Sequence, residues 1–170
     1  GDHRDLHRLI RRQRQMCIRD RFRSYSRYGL SLQQVCSLVE RENPRAVFIS
    51  ILATAYSDTA MELALLLREK LPDVILVCGG HHPTRFPEEV LTVFDYAVRG
   101  EGDVVGGLLA DALIRGRGCV ENIEGVCFKR GGKVVVAEPA FVSVDRLDCR
   151  YPARNLVDVP TYRGRKATLI

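Results

Sequence analysis

Several features that mark common functional classes are missing from this sequence. None of its six cysteines forms a C-x-x-C or C-x-x-x-C pair, so no zinc or iron-sulfur spacing is present, and their scatter is typical of reduced cytoplasmic thiols. No apolar stretch reaches the roughly 18 to 20 residues that a membrane span requires, and the arginine-rich start lacks the apolar core of a signal peptide. Internal repeats and low-complexity tracts are also absent. These absences predict a cytoplasmic, globular protein without a membrane span.

The charge of the chain is concentrated at its start. The 170 residues suit one ordinary globular core and carry a formal charge of +5, but residues 1–28 hold nine arginines and three aspartates. The rest of the chain is therefore nearly neutral, and no aromatic platform accompanies the basic segment, which argues against a nucleic-acid partner. Within that segment the peptide "MCIRDR" resembles a translated sequencing-adapter remnant. We therefore expect residues 1–28 to be a non-native, arginine-rich segment.

Helix and strand patterns alternate from residue 29 onward. Ser31 and Gln34 form a capping box for a helix that ends near Asn43. Its predicted inward stripe is Leu32, Val35, Cys36, Leu38 and Val39. The continuous apolar run from Ala46 to Leu52 predicts a strand that is covered on both faces. Ser57 or Asp58 is expected to cap the next helix, whose predicted apolar positions are Met61, Leu63, Ala64, Leu65, Leu67 and Leu71.

The second half of the chain continues the alternation and then changes character. "DVILVCGG" predicts a second strand, Pro87 a short helix start, "DYAVRGEG" a third strand, and residues 103–114 a helix. This order predicts an α/β fold, a flavodoxin-like (Rossmann-like) doubly wound parallel sheet, over residues 29–120. Two β-rich runs around "RGGK" predict a β-hairpin over residues 121–137. Residues 138–170, rich in proline and without periodicity, are interpreted as a linker.

Unusual residues follow each of the three predicted strands. They are the patterns S-x-L-x-T at 50–54, G-G-H-H at 79–82 and R-G-E-G at 99–102. Because ligands of open α/β sheets bind beyond the carboxyl ends of the strands, we expect all three patterns on one rim. Paired glycines let a bulky group lie against the backbone, and a hydroxyl offers a donor and an acceptor. The combination suits a large, flat, partly apolar ligand.

Each of these patterns also has a structural alternative. Ser50 can simply bond a neighbouring carbonyl, and Gly79 with Gly80 can form a turn. Two other function classes share this type of sheet. A signalling receiver domain needs a phosphorylatable aspartate where Ser50 and Ala53 stand, and a flavodoxin-type nucleotide-binding protein needs a phosphate loop after a first strand. The second of these alternatives stays open, because no convincing first strand precedes residue 29.

Taken together, the patterns resemble the cobalamin-binding domain of cobalamin-dependent radical S-adenosylmethionine enzymes. In the wider cobalamin-binding signature, S-x-L is followed by G-G, and here 26 residues separate Leu52 from Gly79. The radical enzymes read G-G-x-H-x-T, which Gly79, Gly80, His82 and Thr84 match, and R-G-E-G, which residues 99–102 match. The resemblance covers about residues 29–170.

The resemblance implies a cobalamin site on the rim. The cofactor would be held base-off, its benzimidazole tail lying in a slot beside the first predicted strand. Ser50 would bond the tail nitrogen, Thr54 would lie near the nucleotide, and Gly79 and Gly80 would let the tail pass. The corrin would rest on the loops at 53–57, 81–85 and 99–102. The implied cofactor-binding residues are Ser50, Leu52, Thr54, Tyr56, Gly79, Gly80, His82, Thr84, Arg99, Gly100 and Glu101, with no catalytic residue and no metal ligand.

The sequence departs from its apparent relatives in three places. The cobalt-ligating motif D-x-H-x-x-G is reduced to Asp5-Leu-His7 without the glycine, and the space of a first strand holds the arginine-rich segment. We therefore expect a sheet that is incomplete at its N-terminus and has an exposed edge. No C-x-x-x-C-x-x-C motif occurs either. We expect the chain to be the cobalamin module of a truncated methyltransferase or cyclase. The 4Fe-4S cluster and S-adenosylmethionine would belong to a radical domain that is its partner in the parent chain, and the fragment alone would be inactive.

Overall fold

The computed structural model of the protein describes residues 30–141. In that part of the chain, five strands form one sheet in the order β1 to β5: Ala46–Ser50, Ile75–Gly79, Tyr96–Val98, Val126–Arg130 and Lys133–Val135. The α-helices are α1 Leu32–Glu42, α2 Ser57–Lys70, α3 His81–Arg85, α4 Pro87–Val90 and α5 Gly102–Arg115, with 3₁₀ turns at Thr54–Tyr56 and Val120–Asn122. None of the described helices is both long and apolar enough to cross a lipid bilayer. The predictions for residues 1–28, for Asp5 and His7, and for most of 138–170 lie outside the described residues.

The sheet is mixed. β1, β2 and β3 are parallel, whereas β4 pairs antiparallel with β3, and β5 with β4. The predicted doubly wound α/β fold and the hairpin are therefore confirmed. The turn of the hairpin is Gly131-Gly132, both at positive φ (55° and 79°), which side chains other than glycine rarely adopt. Because β4 pairs with β3, the hairpin extends the main sheet in the antiparallel direction.

The sheet divides two apolar cores. On one face Ile51, Leu76, Cys78 and Ala97 pack with α1, α2 and α4, whose buried contributions are Cys36, Ala60, Ala64, Leu67 and Val90. On the other face Val77, Val98 and Val126 pack beneath Val105 and Leu109 of α5. The alternation of side chains along each strand assigns neighbouring residues to opposite cores. Helices on both faces are what the doubly wound arrangement requires.

The ends of the helices confirm one sequence prediction and overturn another. At α1, Gln34 N donates to Ser31 Oγ (3.2 Å) and Ser31 N to Gln34 Oε1 (2.8 Å), so the predicted capping box is present, and Asn43 ends the helix in the left-handed conformation (φ 43°). The predicted cap of α2 by Ser57 or Asp58 is wrong. The 3₁₀ turn runs directly into α2, and the Ser57 hydroxyl instead donates backwards to the Thr54 carbonyl (2.8 Å).

Some predicted core positions face solvent. Leu38 of α1 is 37% exposed and Leu65 of α2 is 57% exposed, because each helix presents only a narrow stripe to the sheet. β1 was predicted to be covered on both faces, yet Phe48 is 45% exposed. Near the start of β1, Arg45 Nη1 donates to the Ile114 carbonyl of α5 (2.8 Å). Within residues 30–141 β1 pairs only with β2, so the carboxyl half of β1 has an open face and an unpaired edge.

Asp95 joins three elements at the opposite end of the sheet. Its Oδ2 accepts from Arg68 Nη2 of α2 (2.6 Å) and from the Leu76 amide of β2 (2.7 Å). We expect Asp95→Ala to lower the free energy of unfolding by about 1–2 kcal/mol, since a backbone donor and a guanidinium lose their acceptor while the site stays partly hydrated. Urea denaturation measures this loss. Asp111→Ala, which breaks the exposed Asp111–Arg115 pair (2.8 Å), is the matched control and should cost about 0.5 kcal/mol or less. Equal losses of unfolding free energy in the two variants would show that Asp95 does not hold the three elements together.

Candidate functional site

A row of residues crosses the carboxyl rim of the parallel strands on the face that α5 covers. Ser50 and Gly79 are register partners in β1 and β2, and Gly79 lies beside Val98 of β3. A Cβ built on Gly79 would lie 3.7 Å from Val98 Cβ, an ordinary contact. The row therefore presents an exposed hydroxyl and, beside it, a stretch of bare backbone that ends at the buried Val98. The rim predicted for the three strand ends is present.

Ser50 of this row is exposed and Gly79 is partly exposed, whereas Val98 is buried, and we call the open surface in front of Ser50 and Gly79 the β1 slot. Phe48 and Leu52 stand two residues to either side of Ser50, on the same face, and are 45% and 64% exposed. The described residues therefore offer apolar walls around one hydroxyl. Sequence analysis missed Phe48, although its spacing of two from Ser50 already assigned it to the same face.

Gly79 and Gly80 have different structural roles. Gly80 has φ 104°, and a Cβ there would lie 2.8 Å from the Ile51 carbonyl oxygen, so the end of β1 needs glycine at this position for the chain itself to pass. Gly79 has neither constraint. The structure thus explains Gly80 by packing alone, while at Gly79 a Cβ would fit the protein and a larger side chain would narrow the β1 slot.

His82 lies beneath the rim. It is 2% exposed, its amide donates to the Ile51 carbonyl (3.2 Å), and its ring packs against Phe86. Nδ1 is 3.3 Å from the hydroxyl of Thr54, an exposed residue, and Nε2 is 3.7 Å from Glu89 Oε1 with no hydrogen-bond partner. The structure thus brings together two predicted site residues, Thr54 and His82. Through this contact with Thr54, the buried His82 ring is linked to the exposed rim.

Thr84 connects the second rim pattern to the third. Its hydroxyl donates to the Gly80 carbonyl (2.8 Å) and accepts from the Gly100 amide (3.0 Å). Arg99 Nε donates to the Thr84 carbonyl (3.0 Å), and Arg99 Nη1 donates to the Ala137 carbonyl. These bonds hold the loop after β2 against the end of β3.

Gly100 continues this clamp toward the segment after the hairpin. It forms a bridge with Ala140, and the neighbouring Glu101 amide donates to the Ala140 carbonyl (2.9 Å). Gly100 has φ 85°, and a Cβ there would lie 2.1 Å from the Ala140 oxygen. The R-G-E-G pattern therefore has a packing function in this fold. The predicted site residues that remain exposed on the rim are Ser50, Leu52, Thr54, Tyr56 and Glu101.

The described residues do not assemble a metal centre or an activated nucleophile. Residues 30–141 contain no group of three or more histidine, cysteine or acidic side chains placed to hold a metal ion. Cys36, Cys78 and Cys127 are buried, and burial raises the pKa of Cys78 to about 12. Such a thiol stays protonated at neutral pH and is a poor nucleophile.

Comparison with known sequences agrees with this geometry. The sequence model of the B12 binding domain family matches residues 18–109. An anaerobic magnesium-protoporphyrin IX monomethyl ester cyclase of Synechocystis sp. is 32% identical over 124 residues, which are 69% of this chain and 24% of the cyclase. An uncharacterized methyltransferase of Pyrococcus horikoshii is 29% identical over 140 residues, 79% of this chain and 30% of the methyltransferase. The chain thus spans less than a third of either relative.

Solved structures share the fold. The cobalamin-dependent S-adenosylmethionine radical enzyme OxsB, with aqua-cobalamin and S-adenosylmethionine bound, superposes with a TM-score of 0.58 at 17% identity, covering 67% of this chain and 16% of OxsB. The radical S-adenosylmethionine methyltransferase TsrM from Kitasatospora setae, with cobalamin and a 4Fe-4S cluster bound, has a TM-score of 0.54 at 22% identity, covering 66% of this chain and 22% of TsrM. At these identities the likeness establishes the fold.

Proposed function

The chain belongs to the B12 binding domain family, and from this we propose that residues 29–120 bind cobalamin at the carboxyl rim of β1 and β2. The observation that carries the proposal is the pairing of Ser50 with Gly79 on an open face of the sheet. A hydroxyl beside bare backbone suits a flat heteroaromatic ring with one acceptor nitrogen, which Ser50 can bond as a donor. The exposed side chains of Phe48 and Leu52 would bury the apolar faces of that ring.

We propose that the β1 slot takes the benzimidazole tail, which leaves the cofactor base-off. A ring held against Ser50 by a hydrogen bond to its nitrogen cannot use the same nitrogen as a cobalt ligand. Bound cobalamin supplies cobalt-centred chemistry that amino-acid side chains lack. The part of the protein is to hold the tail, exclude water from it and present the corrin.

The remaining predicted site residues divide into two groups in this proposal. Tyr56 and Glu101 are exposed on the loops at 53–57 and 99–102, and they would contact the corrin. The supporting residues are more enclosed and hold those loops by the bonds described above: Gly80, His82, Thr84, Arg99 and Gly100.

We further propose that this module works within a longer, cytoplasmic enzyme. The chain spans 24% and 30% of the two relatives named above, a cyclase and a methyltransferase. By analogy, a radical S-adenosylmethionine domain of the same parent chain would carry the 4Fe-4S cluster and S-adenosylmethionine and would meet the exposed corrin face. The reaction class would be methyl transfer or ring formation.

Reconstitution tests the binding proposal. The 170-residue chain, incubated with hydroxocobalamin and passed through a desalting column, should retain a corrin absorption spectrum. Ser50→Ala should raise the Kd by about three- to tenfold, the effect of one lost hydrogen bond, and Ser37→Ala on exposed α1 should leave it unchanged. After reduction to cob(II)alamin, the electron paramagnetic resonance spectrum should lack the splitting from a coordinated benzimidazole nitrogen. A chain that retains no corrin would refute the function, and a nitrogen-split spectrum would refute base-off binding.

A further inference from the structure

Thr54, His82 and Glu89 form a chain of polar groups, and the proposed binding role gives Glu89 no part. The Thr54 hydroxyl lies 3.3 Å from His82 Nδ1 on one side of the ring, and Glu89 Oε1 lies 3.7 Å from Nε2 on the other. The imidazole side chain is 1% exposed, whereas the Glu89 side chain is 56% exposed on α4. The chain therefore runs from solvent, through a buried ring, to the rim.

The carboxylate decides which ring nitrogen carries the proton. An ionised carboxylate only accepts hydrogen bonds, so a neutral imidazole is more stable with its N–H at Nε2, toward Glu89, than with a lone pair there. Nδ1 is then an acceptor, and the Thr54 hydroxyl must donate to it. Since a hydroxyl has only one proton, the Thr54 oxygen can offer only its lone pairs to any other partner.

We propose that His82 and Glu89 are positioning residues that make the Thr54 oxygen a hydrogen-bond acceptor toward the ligand. The inference rests on the proposed cobalamin site. It identifies the ligand group at Thr54 as a hydrogen-bond donor of the amide N–H type, which the amide side chains of a corrin can supply. The His82 amide also donates to the Ile51 carbonyl (3.2 Å), which holds the start of the short segment that ends at Thr54.

The tautomer can be measured without any ligand. Long-range ¹H–¹⁵N correlation spectra of the uniformly labelled full chain at pH 8 should show His82 protonated at Nε2 alone, with the signal assigned by its loss in His82→Asn. Glu89→Gln should weaken or reverse this preference, whereas Glu88→Gln, on the neighbouring exposed position of α4, should not. A wild-type ring protonated at Nδ1 would overturn the inference.

The effect on binding is measured with hydroxocobalamin as the probe. Glu89→Gln and Thr54→Val should each raise the Kd by about three- to tenfold, and the double variant should bind no worse than Thr54→Val, because Glu89 acts only through Thr54. Glu88→Gln should match the wild type. Additive losses in the double variant, or equal losses for Glu88→Gln and Glu89→Gln, would overturn the inference. If the wild-type chain retains no corrin, the proposed function fails, and the ligand part of this inference fails with it; the spectra still decide the tautomer.

Discussion

Gly100→Ala is expected to lower the free energy of unfolding by about 3 kcal/mol or more. The new Cβ would lie 2.1 Å from the Ala140 carbonyl oxygen, and the backbone at φ 85° adds strain for any residue with a side chain. Either the Gly100–Ala140 bridge opens, or the end of β3 moves away from Thr84. Thermal or urea unfolding of the 170-residue chain measures the loss, which should appear as a decrease in Tm of roughly 10 °C or more.

Gly102→Ala is the matched control, two residues along the same pattern. It begins α5, and its added Cβ would meet no atom within 4 Å. Its free energy of unfolding should change by less than about 1 kcal/mol. If both variants unfold alike, the segment around Ala140 does not dock against the end of β3 as the structure shows.

Gly79→Leu is expected to raise the Kd for hydroxocobalamin by roughly 10- to 100-fold, because the new side chain would project from the middle of the Ser50–Gly79–Val98 row into the β1 slot. Gly79→Ala should produce a smaller increase in the Kd. Its Cβ would make only a 3.7 Å contact with Val98, so its unfolding transition should stay close to that of the wild type. Equilibrium dialysis and urea denaturation separate the two quantities.

Gly80→Ala supplies the opposite pattern. Its Cβ would meet the Ile51 carbonyl oxygen at 2.8 Å from a backbone at φ 104°, so the main loss should be in stability. We thus expect substitution of Gly79 to weaken mainly cofactor binding and substitution of Gly80 to lower mainly the stability of the fold. Tight corrin binding by Gly79→Leu would place the tail somewhere other than the β1 slot.

These contrasts bear on how the motifs of this family should be interpreted. Thr84, Arg99 and Gly100 carry much of the resemblance, yet in this structure they bond to one another and to residues 137–140. In this structure these residues therefore hold the rim loops in place.

Local sequence chemistry was sufficient for most of the elements. The Ser31 capping box, the left-handed stop at Asn43 and the two-glycine hairpin turn are short-range features, which depend on neighbours in the chain. The parallel pairing of the first three strands also followed from the alternation of helix and strand. Local signals did not reveal α3, since a helix of five residues begins there only because Gly80 turns the chain at positive φ.

By itself, the sequence determined the α/β class, the hairpin and the presence of three polar or glycine-rich strand ends, because periodicity and turn chemistry are written in adjacent residues. Only the tertiary structure decided which of those residues share a face and which of them are required for packing. The register of β1 against β2 placed Ser50 beside Gly79. Ile51 lies so close to Gly80, and Ala140 so close to Gly100, that packing requires glycine at both positions. Such assignments depend on distances between segments far apart in the chain, and no local pattern encodes them.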